Sequence, residues 1–182
     1  MIEKLFKKLS FIFDIIITFI QKKRFKSFGK KSIIRYACIV NHPNKIDIGS
    51  NVFIGDHVWL NANNWREDGR ASLIIGDGVH ISRFSHINAF KDVVIEDKVL
   101  IGENVYLGDA DHIRSNFEIP IKDQGYEFKG SVLLKSGSFI CKNAIIAAGV
   151  IVGKNATVGP NAYVIESVPD NSLAIGNPAK IY

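Results

Sequence analysis

The chain has 182 residues, 47% of them hydrophobic, with two cysteines and a formal net charge of +5. That length holds one well-cored domain, and two cysteines are too few for a disulfide framework, so a reducing cytoplasmic setting is the simpler expectation. The charge is lopsided: residues 1–31 carry nine Lys or Arg against Glu3 and Asp14, net +7, which leaves −2 for the rest and argues against a nucleic-acid groove along the body.

Residues 1–32 read as a basic, apolar helical arm. Leu9 to Ile20 (LSFIFDIIITFI) is almost wholly apolar, with lysines before it and Lys22-Lys23-Arg24 after it. The stretch is too short to span a bilayer and has Asp14 in its middle. A charge-then-apolar layout also fits a signal peptide, but no small-residue cleavage site follows. Two compatible readings remain. The arm caps the open end of a repeat domain or packs on a neighbouring subunit, as solenoids require. Alternatively it lies on an anionic membrane as an interfacial helix, a peripheral contact on the inner face of the plasma membrane.

From residue 33 to 165 an aliphatic residue recurs every sixth position. Ile48, Ile54 and Leu60 form one set; Ile75, Ile81 and Ile87 a second; Ile95, Ile101 and Leu107 a third; Leu134, Ile140, Ile146, Val152, Val158 and Val164 the longest. A period of six fits neither a helix nor a two-faced strand. It fits a chain that turns a corner after each short strand, so that three sides close a coil of roughly eighteen residues. The pattern predicts about five stacked triangular coils of a parallel β-helix. Four places after each aliphatic position stand small or β-branched residues such as Val52, Val79, Val99 and Ala156, which fit inside a tight prism. Glycines such as Gly49, Gly55, Gly76 and Gly102 follow directly after it. Fifteen aliphatic positions in register argue against an ordinary sandwich.

Two stretches interrupt the repeat, at 63–72 (NNWREDGRAS) and 111–130 (DHIRSNFEIPIKDQGYEFKG). Coils are scaffold, so excursions are where function is expected. The second begins in Asp109-Ala110-Asp111-His112, a histidine among carboxylates at the end of a strand. An imidazole, with an ordinary pKa near 6.5, is mostly neutral at pH 7 and can serve as a general base. Either carboxylate is a candidate to fix its tautomer, with a slight preference for Asp109 because Asp111 and His112 are neighbours on a strand. The bland reading is a loop that only locks subunits together. Residues 166–182 read as a C-terminal cap segment.

The closing stretch carries the most specific motif, Gly176-Asn177-Pro178-Ala179-Lys180, joined by Val150-Ile151-Val152-Gly153 and Val168-Pro169-Asp170-Asn171. Over residues 46–182 the chain resembles the hexapeptide-repeat acyltransferases. Asp109 through His112 resembles the D-H-D-H segment of sugar O-acetyltransferases of the capsule and lipopolysaccharide type, and more distantly the maltose and galactoside enzymes. The chain departs from the pattern at Ala110, at Phe139-Ile140-Cys141 and at Ile165-Glu166. The resemblance implies an all-β, left-handed parallel β-helix, a homotrimer with active sites between subunits, and no metal. It also implies acetyl transfer from acetyl-CoA to a sugar hydroxyl used in cell-surface polysaccharide, with His112 as base.

On that basis the cofactor is expected at Lys142, Ala148, Gly149, Lys154, Pro160 and Lys180. From His112 to Lys180 is two to three coil steps, roughly 10–15 Å, comparable with the reach of a pantetheine arm. The acceptor is expected at Trp65, Ser82, Arg114 and Tyr126, with Arg66 and Phe128 adding to that surface. Two other outcomes are open: N-acetylation of an amino sugar, and, in a different class, a zinc carbonic-anhydrase-like centre. The latter needs three converging histidines, whereas His80 and His86 are one hexapeptide apart and so lie on adjacent sides.

Overall fold

A computed structural model describes residues 2–63, 65 and 68–182, with residues 2–8 as backbone alone. After helix α1 (Ile2–Gln21) the chain winds into a three-faced parallel β-helix. The first face stacks Ser27–Phe28, Ile46–Ile48, Leu73–Ile75, Val93–Ile95, Val132–Leu134 and Ile151–Val152. The second runs from Ile33–Ile34 to Thr157–Val158 and is extended by Leu173–Ile175 and an antiparallel Lys180–Ile181. The third stacks Ile39–Asn41, Trp59–Ala62, His86–Ala89, Tyr106–Gly108, Ile145–Ile146 and Tyr163–Val164.

The periodic residues form three inward columns. Phe28, Ile48, Ile75, Ile95, Leu134 and Val152 are in register on the first face. Ile54, Ile81, Ile101, Ile140 and Val158 align on the second, and Val40, Leu60, Ile87, Leu107, Ile146 and Val164 on the third. From Ile48 onward every one of them is at most 2% exposed. Val52, Val79, Val99 and Ala156 are equally buried and fill the corners.

The repeat is longer than the hexads alone suggest. There are six complete coils, because 27–41 forms a first one, and the β-helix therefore starts at Ser27, inside the stretch assigned to the arm. Lys30 and Lys31 at its corner and the eight-residue step from Val40 to Ile48 disguise that coil in the sequence.

The glycines that follow the aliphatic positions answer a close approach between coils. Asparagine is the commonest non-glycine residue at positive φ, including Asn104, Asn143 and Asn161, whose side-chain amides bond one coil to the next at 3.0 Å. Gly102 has ordinary φ; it is needed because a Cβ there would sit 2.7 Å from the Lys142 backbone nitrogen of the coil stacked on it.

Helix α1 closes the exposed edge of the first coil. Thr18 Oγ1 donates to the Ile34 carbonyl at 3.1 Å and accepts from its N–H at 3.0 Å. The Tyr36 N–H donates to Asp14 Oδ1 at 3.0 Å. Arg35 Nε lies 2.9 Å from Asp14 Oδ2, an ion pair, although its N–H is aimed at Asp56 Oδ1. These side chains replace the strand that the edge lacks. Among the described residues no helix is long and apolar enough to cross a membrane. Cys38 and Cys141 are free thiols; burial pushes Cys38 up to about 12, and its S–H donates to the Gly55 carbonyl.

Candidate active site

The outward side chains of the third face change character along the stack. The residue just before each buried aliphatic is Trp59, His86 and Tyr106 in coils two to four. Trp59 and His86 stack face to face, with ring centres 4.3 Å apart and planes 3° apart, and His86 meets Tyr106 edge-on at 5.5 Å. The residue just after is Asn41, Asn61 and Asn88, whose amides form a ladder: Asn41 to Asn61 at 2.9 Å, Asn61 to Asn88 at 2.8 Å, and Asn88 to the Tyr106 hydroxyl at 3.3 Å. A strip of rings therefore runs beside a strip of amides.

The 111–130 excursion folds over this strip as a two-stranded hairpin. Ala110–His112 pairs antiparallel with Tyr126–Phe128, joined through the short helix α2 (Ile121–Gln124). His112 stands opposite Tyr126 with ring centres 4.2 Å apart. Tyr126 packs on Phe90 at 4.9 Å, and Phe90 meets Trp65 of the first insertion at 4.7 Å. The second interruption thus closes a hollow lined by Trp59, Asn61, His86, Asn88, Phe90, Tyr126 and His112, and the first supports it from behind through Trp65 on Phe90.

A second hollow adjoins it across Tyr106, Ala110 and Asp111 and runs along coils five and six past Ile145, Ala147, Ala148 and Tyr163, with Lys129 at its side. The first hollow is aromatic and amide-lined; the second is mainly aliphatic. His112 lines the first hollow and follows directly after Ala110 and Asp111, which line both. Its Nδ1 is buried without a hydrogen-bond partner, and so is Nε2 of His86, whose pKa burial pushes down, opposed by a hydrogen bond to Asn88.

Neither carboxylate holds the imidazole, which corrects the expectation for Asp109 and Asp111. Asp109 is fully buried and accepts three backbone N–H bonds, from Phe90 at 2.8 Å, Lys91 at 2.7 Å and Asp92 at 2.6 Å. It fastens the turn that carries Phe90. Asp111 accepts the His112 backbone N–H at 2.7 Å and the Arg114 guanidinium at 2.7 Å, which is the place the structure gives Arg114.

The remaining expected residues divide. Tyr126 and Ala148 line the paired hollows, whereas Trp65 stands behind Phe90 and lines neither. Gly149 is one step beyond, its N–H on the Gly130 carbonyl. Phe128 pairs with Ala110 and lies under the Lys91 ammonium. Arg66 falls outside the described residues. Ser82, expected beside the acceptor, instead shares a groove on the second face with Leu100, Phe139, Lys142 and Pro160, because it directly follows the second-face strand His80–Ile81. Lys154 sits at the corner between first and second faces, its N–H on Asp170, and Lys180 lies in the last strand. Within one chain these cofactor candidates do not converge on His112. His80 and His86 stand on different faces, and among the described residues no group of three or more His, Cys, Asp or Glu could hold a metal ion.

Sequence reasoning missed Trp59, Asn61, His86, Asn88 and Tyr106. A signal existed: aromatic and amide residues replace aliphatic ones at coil-equivalent outward positions of a single face.

The family model for the bacterial transferase hexapeptide (six repeats) matches residues 131–166. Over that stretch the chain carries the repeat of this family, and it is similar to the hexapeptide-repeat transferases. Its fold is accordingly the left-handed parallel β-helix. A probable acetyltransferase of Mycobacterium tuberculosis is 34% identical over 137 residues, covering 75% of this chain and 43% of the relative. WbbJ of Escherichia coli, named provisionally as a lipopolysaccharide biosynthesis O-acetyl transferase, is 27% identical over 155 residues, 82% of this chain and 76% of the relative. The chain thus spans less than half of the first relative and about three quarters of the second. Among solved structures, a single-residue mutant of the Bacillus cereus N-acyltransferase AntD, in complex with dTDP and coenzyme A, matches with a TM-score of 0.74 at 24% identity. That match covers 90% of this chain and 86% of AntD and concerns the fold.

Proposed function

We propose that this chain is a hexapeptide-repeat transferase that moves an acetyl group from acetyl-CoA to a hydroxyl of a sugar destined for cell-surface polysaccharide. The observation that carries the reading is the position of His112 in an aromatic, amide-lined hollow that adjoins an aliphatic one through Tyr106, Ala110 and Asp111. The first suits a sugar, whose faces stack on rings and whose hydroxyls bond amides. The second suits a pantetheine arm. His112 takes the proton from the acceptor hydroxyl as its oxygen attacks the thioester carbonyl carbon. The tetrahedral intermediate then collapses, the carbon–sulfur bond breaks, and the imidazolium returns its proton to the departing thiolate. No acyl-enzyme is needed. With no carboxylate on the ring, the hairpin and the Tyr126 ring fix its position, and Nδ1 is left for a group from outside the chain.

The active assembly is a trimer. In a three-fold packing of prisms the second face of one protomer lies beside the third face of the next. The groove of Ser82, Lys142 and Pro160 would then complete the aliphatic hollow of its neighbour, which accounts for the separation of these residues within one chain. The exposed Leu100 and Phe139 on the second face and Ile145 and Tyr163 on the third supply apolar area for that contact.

Thiol release from acetyl-CoA against a panel of sugars and nucleotide sugars tests the proposal. One acceptor class is expected to stimulate release, and His112→Ala to lower it by about 10²–10⁴ with trimers intact. Full activity in His112→Ala overturns the mechanism. AntD's N-acyltransferase name keeps amide formation on an amino sugar as a second reading, since the same base and thioester serve a nitrogen nucleophile; stimulation by amino sugars alone would select it.

A further inference from the structure

The orientation of helix α1 is inverted relative to an ordinary packed amphipathic helix. Among its described side chains, Asp14 and Thr18 are buried against the first coil, and Ser10 accepts a bond from Arg35. Its apolar residues face outward. Eight large apolar side chains between Leu9 and Ile20, among them Ile12, Phe13, Ile16, Phe19 and Ile20, are each 46% to 63% exposed. A helix held only by hydrophobic burial would turn the other way. This one does not, because the edge of the first coil presents backbone N–H and C=O groups that Thr18 and Asp14 satisfy. The need to cap the β-helix thus forces the apolar stripe into view.

We propose that this stripe is a seat for an anionic lipid surface, with α1 lying in the interface at the end of the β-helix. Three observations select that occupant. The apolar run of the helix is too short and too interrupted, by Asp14, to cross a bilayer, and its polar stripe is already fastened, so it can lie on a membrane but not enter it lengthwise. Lys22, Lys23, Arg24, Lys26, Lys30 and Lys31 are exposed at the same end of the molecule, and the acid within the stripe, Asp14, is buried and paired. Tyr36, packed edge-on against Phe13 and 61% exposed, supplies the amphipathic ring suited to the headgroup level. A second copy of the chain is disfavoured as occupant. Lys4, Lys7 and Lys8 precede the stripe and Lys22, Lys23 and Arg24 follow it, so pairing two helices in either direction sets cations against cations. The proposal is independent of the acetyl-transfer reading.

Flotation of the full-length protein with vesicles tests it. Protein is expected to float with phosphatidylcholine vesicles containing about one-third phosphatidylglycerol, and at least about tenfold less with phosphatidylcholine alone or at high salt. Ile12→Ser combined with Ile16→Ser leaves the capping contacts untouched; it is expected to lower flotation about tenfold or more while the unfolding transition stays that of the parent chain. Flotation unaffected by lipid charge and by the double substitution would overturn the proposal. So would a solution mass that doubles without lipid and reverts in the double variant, which would assign the stripe to a second copy. Should the double variant fold poorly, the lipid-charge and salt arms on the unaltered protein still decide.

Discussion

Asp109→Asn separates two roles that the sequence leaves open. The buried carboxylate takes the Phe90 N–H on Oδ1 and the Lys91 and Asp92 N–H groups on Oδ2. An asparagine can keep its oxygen at the Oδ2 position, but its NH₂ then confronts the Phe90 N–H, donor against donor. One charge-assisted bond is lost, at about 1.5–3 kcal/mol, and an unsatisfied buried donor adds about 1–3 kcal/mol. The two surviving bonds weaken on losing the charge. A total of about 3–5 kcal/mol is a large part of a stability of roughly 5–15 kcal/mol, and for this chain length it lowers Tm by on the order of 10 °C. Calorimetry at fixed protein concentration, paired with thiol-release kinetics, is the assay. Because Phe90 supports Tyr126 at the acceptor hollow, KM for the acceptor should rise as well. An unchanged Tm with kcat lowered a hundredfold would refute this reasoning and restore Asp109 as the group that orients His112.

Two further outcomes follow from the same contacts. Burial lowers the His86 pKa, so between its folded value and the unfolded value near 6.5 the unfolded chain binds more protons than the folded one. Stability is therefore full above pH 6.5 and declines as pH falls below it, and His86→Phe should flatten that decline in denaturant titrations between about pH 7 and 5; an unchanged slope removes His86 as its source. Arg35→Ala leaves the Asp14 carboxylate buried without its cation, at about 1–3 kcal/mol after allowing for the part-exposed guanidinium. Hydrogen exchange should then quicken across residues 9–21 while coils three to six keep their protection, and uniform exchange would mean that α1 does not fold as a separate cap.

The hexads were legible because a prism interior is repetitive: each side contributes one inward aliphatic, and Leu134 through Val164 records that directly. The first coil was not, since its corner lysines and irregular spacing break the pattern while its backbone still pairs. That residues 111–130 leave the coils was legible from their length and the loss of the hexad. The form of that excursion was not, because the pairing of Ala110–His112 with Tyr126–Phe128 is an antiparallel contact with no periodic trace.

What the amino-acid order determined alone was the three-sided column, the end that bears the basic arm, and the histidine at residue 112. These are properties of spacing and composition along the chain. Only the folded arrangement decided that Asp109 anchors a turn, that Trp65, Phe90 and Tyr126 form one aromatic chain around His112, and that α1 shows its apolar side to the outside. Each depends on which backbone N–H and C=O groups are left unpaired at an edge or a turn. That is settled only when strands distant in sequence have stacked.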